Sequence, residues 1–427
     1  MSRANSALPE FALDADEKEQ LLARFLRYAK IHTSSVEDAP SFPSSPGQWE
    51  LLRLLKEELS ALGLSEIEQD PDHAYLYATL PATREGAPVV GFMAHVDTYP
   101  GTCGENVKPQ VHRNWDGKAI VLPGDSGQVL SAENTPQLAR CVGHTLVTTD
   151  GTTLLGADDK AGIASIMTML AWYVRHPEVP HGKVRVAFTP DEEIGIGSKY
   201  FDVPRFGALC AYTVDGSLLG EIESETFCGD SATVTVTGYD IHPGLAKNKM
   251  KNAVRAAADF VGRLPDDRLP ETTEKREPYL HPIAISGEVG KVVVKFILRA
   301  FTVEELTARA GDVRRVAAET ERDWPGVRFQ VEVTESYRNM KLVLDRHPKV
   351  VALAMEAVRR AGLEPFEGYI RGGTDGSALS FKGLPTPNIF DGALNYHGVR
   401  ECVSLEWMAK SCETVKNVVY LWGQERA

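Results

Sequence analysis

Three short apolar stretches of this chain each stop at a cluster of metal-type side chains, and this restricts the fold more than any other feature. Gly91-Phe92-Met93-Ala94 runs into His95-Val96-Asp97. Arg185-Val186-Ala187-Phe188-Thr189-Pro190 runs into Asp191-Glu192-Glu193, and Cys210-Ala211-Tyr212-Thr213-Val214 into Asp215. Nearly all-apolar strands belong to sheets covered on both faces. Open parallel sheets present their ligand sites at the carboxyl ends of the strands. Helical periodicity alternates with these strands: Leu21, Leu22, Phe25 and Leu26 share one face over 17–30, and further helices are predicted over 49–62, 162–175 and 348–361. The pattern is that of an α/β layered domain.

Between about 227 and 337 the pattern changes. Strands over 231–237, 283–288, 291–298 and 327–334 are interleaved with helices over 248–262 and 303–318, giving β-α-β-β-α-β, a ferredoxin-like α+β arrangement. A chain of 427 residues exceeds the size at which one core usually stops growing. The reading is therefore a discontinuous catalytic domain, 1–226 and 338–427, with a smaller domain inserted over 227–337. The Ser/Pro-rich stretch 39–47 is a loop, expected near the substrate entrance.

The formal net charge of -13 disfavours a nucleic-acid partner. The six cysteines, at 103, 141, 210, 228, 402 and 412, form no CxxC pair and no disulfide framework. With no signal-peptide pattern in the first fourteen residues and no membrane-length apolar run, the expected setting is cytoplasmic. HExxH, G-x-S-x-G and P-loop patterns are missing from the sequence.

The chemistry falls to the strand ends. His95 and Asp97 point the same way in an extended segment, so Asp97 can hold the imidazole from behind. Adjacent acids such as Glu192 and Glu193 diverge, so one can bind metal while the other faces water. Asp158-Asp159 occupies a turn before a helix, and His397 a Gly-flanked loop. Imidazole with carboxylate suits zinc, with cobalt or manganese as alternatives. His242 reads equally as a loop-capping side chain or a functional one, and Arg299 equally as a surface arginine.

The blocks 95–98 (HVDT), 148–151 (TTDG), 154–162 (LLGADDKAG), 187–193 (AFTPDEE), 212–216 (YTVDG), 371–376 (RGGTDG) and 395–398 (NYHG) carry a resemblance along nearly the whole chain. In their order and spacing the chain resembles the peptidase T family of tripeptide aminopeptidases. That family sits within the dinuclear zinc metallopeptidases that include glutamate carboxypeptidases and aminoacylases. The resemblance implies a zinc-exopeptidase catalytic domain with two Zn2+ per subunit: His95 and Asp215 on one, Glu193 and His397 on the other, and Asp158 bridging. It implies that Asp97 orients His95, that Glu192 is the general base, and that the Asp158–Asp159 peptide bond is cis. The inserted segment would be a lid, through which many members form homodimers, and its His242 would stabilise the oxyanion. Arg299, Asn252 and the loop Arg371-Gly372-Gly373-Thr374 would hold the peptide and its terminal carboxylate. The expected activity is release of the N-terminal residue from short peptides, tripeptides above all, with dipeptidase, carboxypeptidase or N-acyl amino acid amidohydrolase as alternatives on the same shell. The chain departs from the family pattern at Ala300, Thr302 and Arg338, and in a longer amino-terminal tail.

Overall fold

The structure, a computed structural model, describes residues 11–426; the start of the longer amino-terminal tail lies outside them. The chain forms two compact units. One comprises the described residues up to Ser224, 343–368, and those from Ala378 onward; the other comprises 225–342 and 369–377.

The larger unit is built on an eight-stranded sheet in the order Ser65–Gln69, Leu76–Leu80, Val184–Thr189, Val90–His95, Cys210–Gly216, Asn388–Phe390, Glu221–Thr226, Phe366–Ile370. Its four central strands, Val184–Thr189 to Asn388–Phe390, pair in parallel, while Leu76–Leu80 is antiparallel to both its neighbours and Glu221–Thr226 is antiparallel to Asn388–Phe390. The sheet is thus mixed: the parallel order expected from the apolar strands holds at the centre and gives way at the flanks. Side chains alternate between two cores. Phe92, Ala94, Val186, Phe188, Tyr212 and Val214 enter the cluster that includes residues of the helices Ala15–Ala29, Ala157–Arg175, Pro348–Arg360 and Leu405–Gln424. Met93, Ala187 and Ala211 enter a second cluster with Tyr75, Tyr77, Phe201 and Phe206. Burial on both faces explains why these strands carry so few polar residues.

A small antiparallel sheet, in the order Ala393–Leu394, Cys402–Ser404, Leu146–Thr148, Gln110–His112, adjoins no strand of the large one. Its first two strands pair with each other and bracket the loop that carries His397. This sheet does not stand out from sequence periodicity. The carboxyl-terminal helix Leu405–Gln424, with Leu405, Met408, Cys412, Val415, Val419 and Trp422 on one face, does, though it is not among the helices predicted above.

The smaller unit has strands Cys228–Thr237, Tyr279–Glu288, Lys291–Ala300 and Arg328–Tyr337 and helices Ala253–Gly262 and Val303–Asp323. The sheet is wholly antiparallel, ordered second, third, first, fourth. Residues 369–377, expected with the catalytic domain, belong to this unit. The reason is local: the Arg371 guanidinium donates to the carbonyls of Lys275 and Glu277 and to the Thr273 side chain. Two departures from the family pattern also acquire roles here. Thr302 caps the helix Val303–Asp323 in a reciprocal box with Glu305, and Arg338 pairs with Asp230 and Glu335. Ala300 is buried in the core of the unit. Among the described residues no helix is long and apolar enough to cross a membrane.

The helix Ala157–Arg175 runs close against the sheet because residue 162 is glycine. A Cβ there would meet the Val214 carbonyl oxygen and the Asp159 carboxylate. Gly162→Ala should therefore destabilise the protein by about 1–3 kcal/mol, the usual cost of overpacking. A urea unfolding midpoint equal to that of the parent would contradict this.

Candidate active site

Val184–Thr189, Val90–His95 and Cys210–Gly216 are neighbours in the sheet, with His95 in register with Thr189. Their carboxyl ends therefore bring His95, the turn 191–193 and Asp215 together. His95 is 3% exposed. Its Nδ1 lies 3.0 Å from the Asp97 carbonyl oxygen and 3.4 Å from the Asp97 carboxylate. Its Nε2 is thereby aimed at Asp158 Oδ1, 2.9 Å away, with Asp215 Oδ1 at 3.8 Å. The fully buried Asp97 carboxylate also accepts the backbone N–H groups of Glu192 and Glu193, at 3.0 and 3.1 Å.

Asp158 faces both histidines: its second oxygen lies 3.1 Å from His397 Nε2, which is in turn 3.0 Å from Glu193 Oε2. The Asp158–Asp159 peptide bond is cis, and both residues have non-helical dihedrals within the first turn of Ala157–Arg175. Glu401 pins this turn, accepting the N–H groups of Leu155, Gly156 and Asp158 at 2.7–3.0 Å. Asp159 points inward and accepts the His95 N–H at 3.1 Å. Asp191, the first acid of its triplet, turns away from the cluster. It accepts from the Ser44 amide and hydroxyl and from Gln48, fastening the 39–47 loop to the turn 191–193. That loop and Ile194 and Ile196 line a cavity of about 350 Å³.

The electrostatics express an excess of carboxylates. Burial opposes protonation of His95, but hydrogen bonds to Asp158 and Asp97 raise its pKa well above the ordinary value. Burial likewise opposes it at His397, where Asp158 and Glu193 push the pKa up to about 10. Burial and the charge of Asp158 raise Glu193 to about 7. Burial and the charge of Asp159 raise Asp215 well above the carboxylate range, with Glu192 adding to the effect. Asp158 goes the other way: burial would raise it, but the two imidazoles hold it low.

The donor set fits divalent cations. Ligand atoms of His95, Asp158 and Glu193 lie within 4.8 Å of one another, as do those of His95, Asp159 and Asp215. Glu193 Oε1 is buried with no hydrogen-bond partner, the condition of an oxygen suited to a cation rather than a donor.

The remaining candidates belong to the smaller unit. His242 is exposed, and its Nδ1 accepts the Gly244 N–H at 3.1 Å. Asn252 caps the helix Ala253–Gly262. Arg299 stacks on Tyr337, whose ring also faces Gly373. The Arg371 guanidinium lies over the rings of Phe227 and Tyr279, 5.3 and 5.5 Å from their centroids, and Gly372 and Thr374 follow it in the same loop. Sequence reasoning overlooked Glu401 and the buried Asp391, which accepts from the Ala393 N–H and the Tyr396 hydroxyl. An acid that binds backbone amides in a loop leaves no periodic signal.

Parallel strands ending in histidine and carboxylates, around one acid that faces both histidines, define the site of a metal-dependent hydrolase. Residues 144–420 match the peptidase family M20/M25/M40, and the chain belongs to that family. Its fold resembles that of an aminopeptidase PepT from Bacillus cereus (TM-score 0.75, 24% identity, 97% of this chain and 100% of that one). It also resembles a dinuclear metal-binding M20 peptidase from Bacillus subtilis (TM-score 0.64, 16% identity, 96% and 99%). Within the family the chain belongs with the peptidases T. It is 46% identical over 409 residues to peptidase T of Geobacillus kaustophilus, covering 96% of this chain and 99% of the relative. It is equally close to that of Listeria monocytogenes serotype 4a, covering 96% and 100%.

Glu401→Ala would strip acceptors from three N–H groups beneath Asp158. The expected loss is at least about 3 kcal/mol, since each of the three unsatisfied buried donors costs about 1–3 kcal/mol. Denaturant titration checks this; a loss under about 1 kcal/mol would show that Glu401 does not hold the turn.

Proposed function

We propose that the protein is a dinuclear zinc tripeptide aminopeptidase, releasing the N-terminal residue from short peptides. The observation that carries the reading is the Asp158 carboxylate, one oxygen facing His95 and the other His397, as a bridge between two cations requires. In this reading His95 and Asp215 would hold one ion, Glu193 and His397 the other, and Asp97 fixes the tautomer of His95. When bound, the ions supply Lewis acidity and lower the pKa of water.

The chain's own groups do the rest. Glu192, held by its backbone N–H on Asp97, accepts the proton of the attacking water and returns it to the leaving amine, a carboxylate acting as base and then as acid. His242 stabilises the oxyanion. Arg299, Asn252 and the Arg371–Thr374 loop hold the peptide. The β-α-β-β-α-β order of the smaller unit supports reading it as a ferredoxin-like lid, which would also carry any homodimer contact.

Two measurements test this reading. Trialanine should lose its N-terminal residue while N-acetyl-trialanine stays intact, with products identified by mass spectrometry. Cleavage of the blocked peptide, or release of the C-terminal residue first, would reassign the specificity. Glu192→Gln should cut kcat by about 10²–10⁴-fold at unchanged metal content; normal turnover would remove Glu192 from its role.

A further inference from the structure

The two histidines of the site are held in opposite ways. His95 is buried, and its Nδ1 is tied to Asp97. A metal-binding imidazole is usually fixed through its second nitrogen by a carboxylate or carbonyl. The His397 side chain is 42% exposed and sits on a loop where its own backbone is left-handed, with φ 64°. The contacts of its ring with acids are made through Nε2, and Nδ1 has no hydrogen-bond partner among the described residues. What faces the ring instead is Tyr99, stacked on it with centroids 4.2 Å apart and planes within 6°. Three residues further on, the Thr102 hydroxyl donates to the His397 carbonyl oxygen at 2.6 Å.

We infer that Tyr99 and Thr102 are positioning residues for His397: the ring stack sets the plane of the imidazole, and the hydroxyl sets the backbone that carries it. Both lie just beyond His95 and Asp97 in the chain. This segment is itself anchored, since the Thr98 carbonyl accepts the Ser35 N–H at 3.0 Å and the Cys103 carbonyl accepts the Leu154 N–H at 2.9 Å. One stretch of chain, 95–103, thus positions both histidines, one by a hydrogen bond and the other by stacking. Stacking leaves the imidazole free to slide in its plane but not to tilt, which suits a ligand on an exposed loop. The clamp rests on the reading of His397 as a metal ligand.

The test is titration of the metal-free full-length protein with Co2+, followed by calorimetry and by the visible absorption of the bound ion. Tyr99→Ala should weaken one of the two Co2+ sites by roughly ten- to a hundred-fold, the range seen when the outer partner of a ligand is lost, and leave the other site unchanged. Tyr99→Phe keeps the stack and should restore the affinity; Thr102→Val should weaken the same site. The thermal unfolding midpoint of the metal-free protein should be the same for all three. Parental affinity at both sites in Tyr99→Ala, or equal weakening in Tyr99→Phe and Tyr99→Ala, would overturn the clamp. If instead His397→Ala still bound two Co2+ ions with parental affinity, the assignment of His397 beneath it would fall.

Discussion

The site depends first on the Asp97 carboxylate. It lies fully buried just past the ends of two parallel strands, facing His95 on one side and accepting the amides of Glu192 and Glu193 on the other. A buried carboxylate is costly unless its oxygens are satisfied, and here the groups that satisfy it are those whose positions matter. The direction of the imidazole and the placement of the two acids are therefore set by one residue, through its carbonyl oxygen and its carboxylate. Asp191 does similar work one residue earlier in the turn, exchanging its charge for the Ser44 and Gln48 donors. The acidic triplet thus divides into one acid that anchors a loop and two that face the cluster.

The rest of the site is governed by an imbalance of charge. Asp158, Asp159, Glu193 and Asp215 crowd around two imidazoles, and the pKa directions of His95, His397, Glu193 and Asp215 all move toward taking up protons. Divalent cations relieve the same imbalance more completely, because each brings two charges to oxygens that no donor reaches. Glu401 solves a different problem. The turn at 155–158 directs its N–H groups inward, and one carboxylate collects three of them, which frees the Asp158 side chain to serve both histidines.

Much of this was legible in the chain. Strands that are apolar at nearly every position announce a sheet covered on both faces, and their abrupt ends at His95, Asp191 and Asp215 mark where it presents its chemistry. The β-α-β-β-α-β run was visible because its helices and exposed strands have clean periods. Short strands such as Ala393–Leu394 and Cys402–Ser404 were not, since two or three residues cannot show a period. The membership of 369–377 in the smaller unit was hidden for a similar reason: it follows from where the Arg371 side chain finds its acceptors, far along the chain at 273–277.

Residue types and their order along the chain by themselves determined the α/β class, the inserted unit and the list of metal-type side chains, because periodicity and strand ends are local properties. Only the tertiary structure decided which oxygen of Asp158 faces which histidine, that Glu401 holds the turn beneath it, and that Tyr99 covers the ring of His397. These are contacts between residues tens to hundreds of positions apart, and their geometry exists only once the sheet has brought the strand ends together.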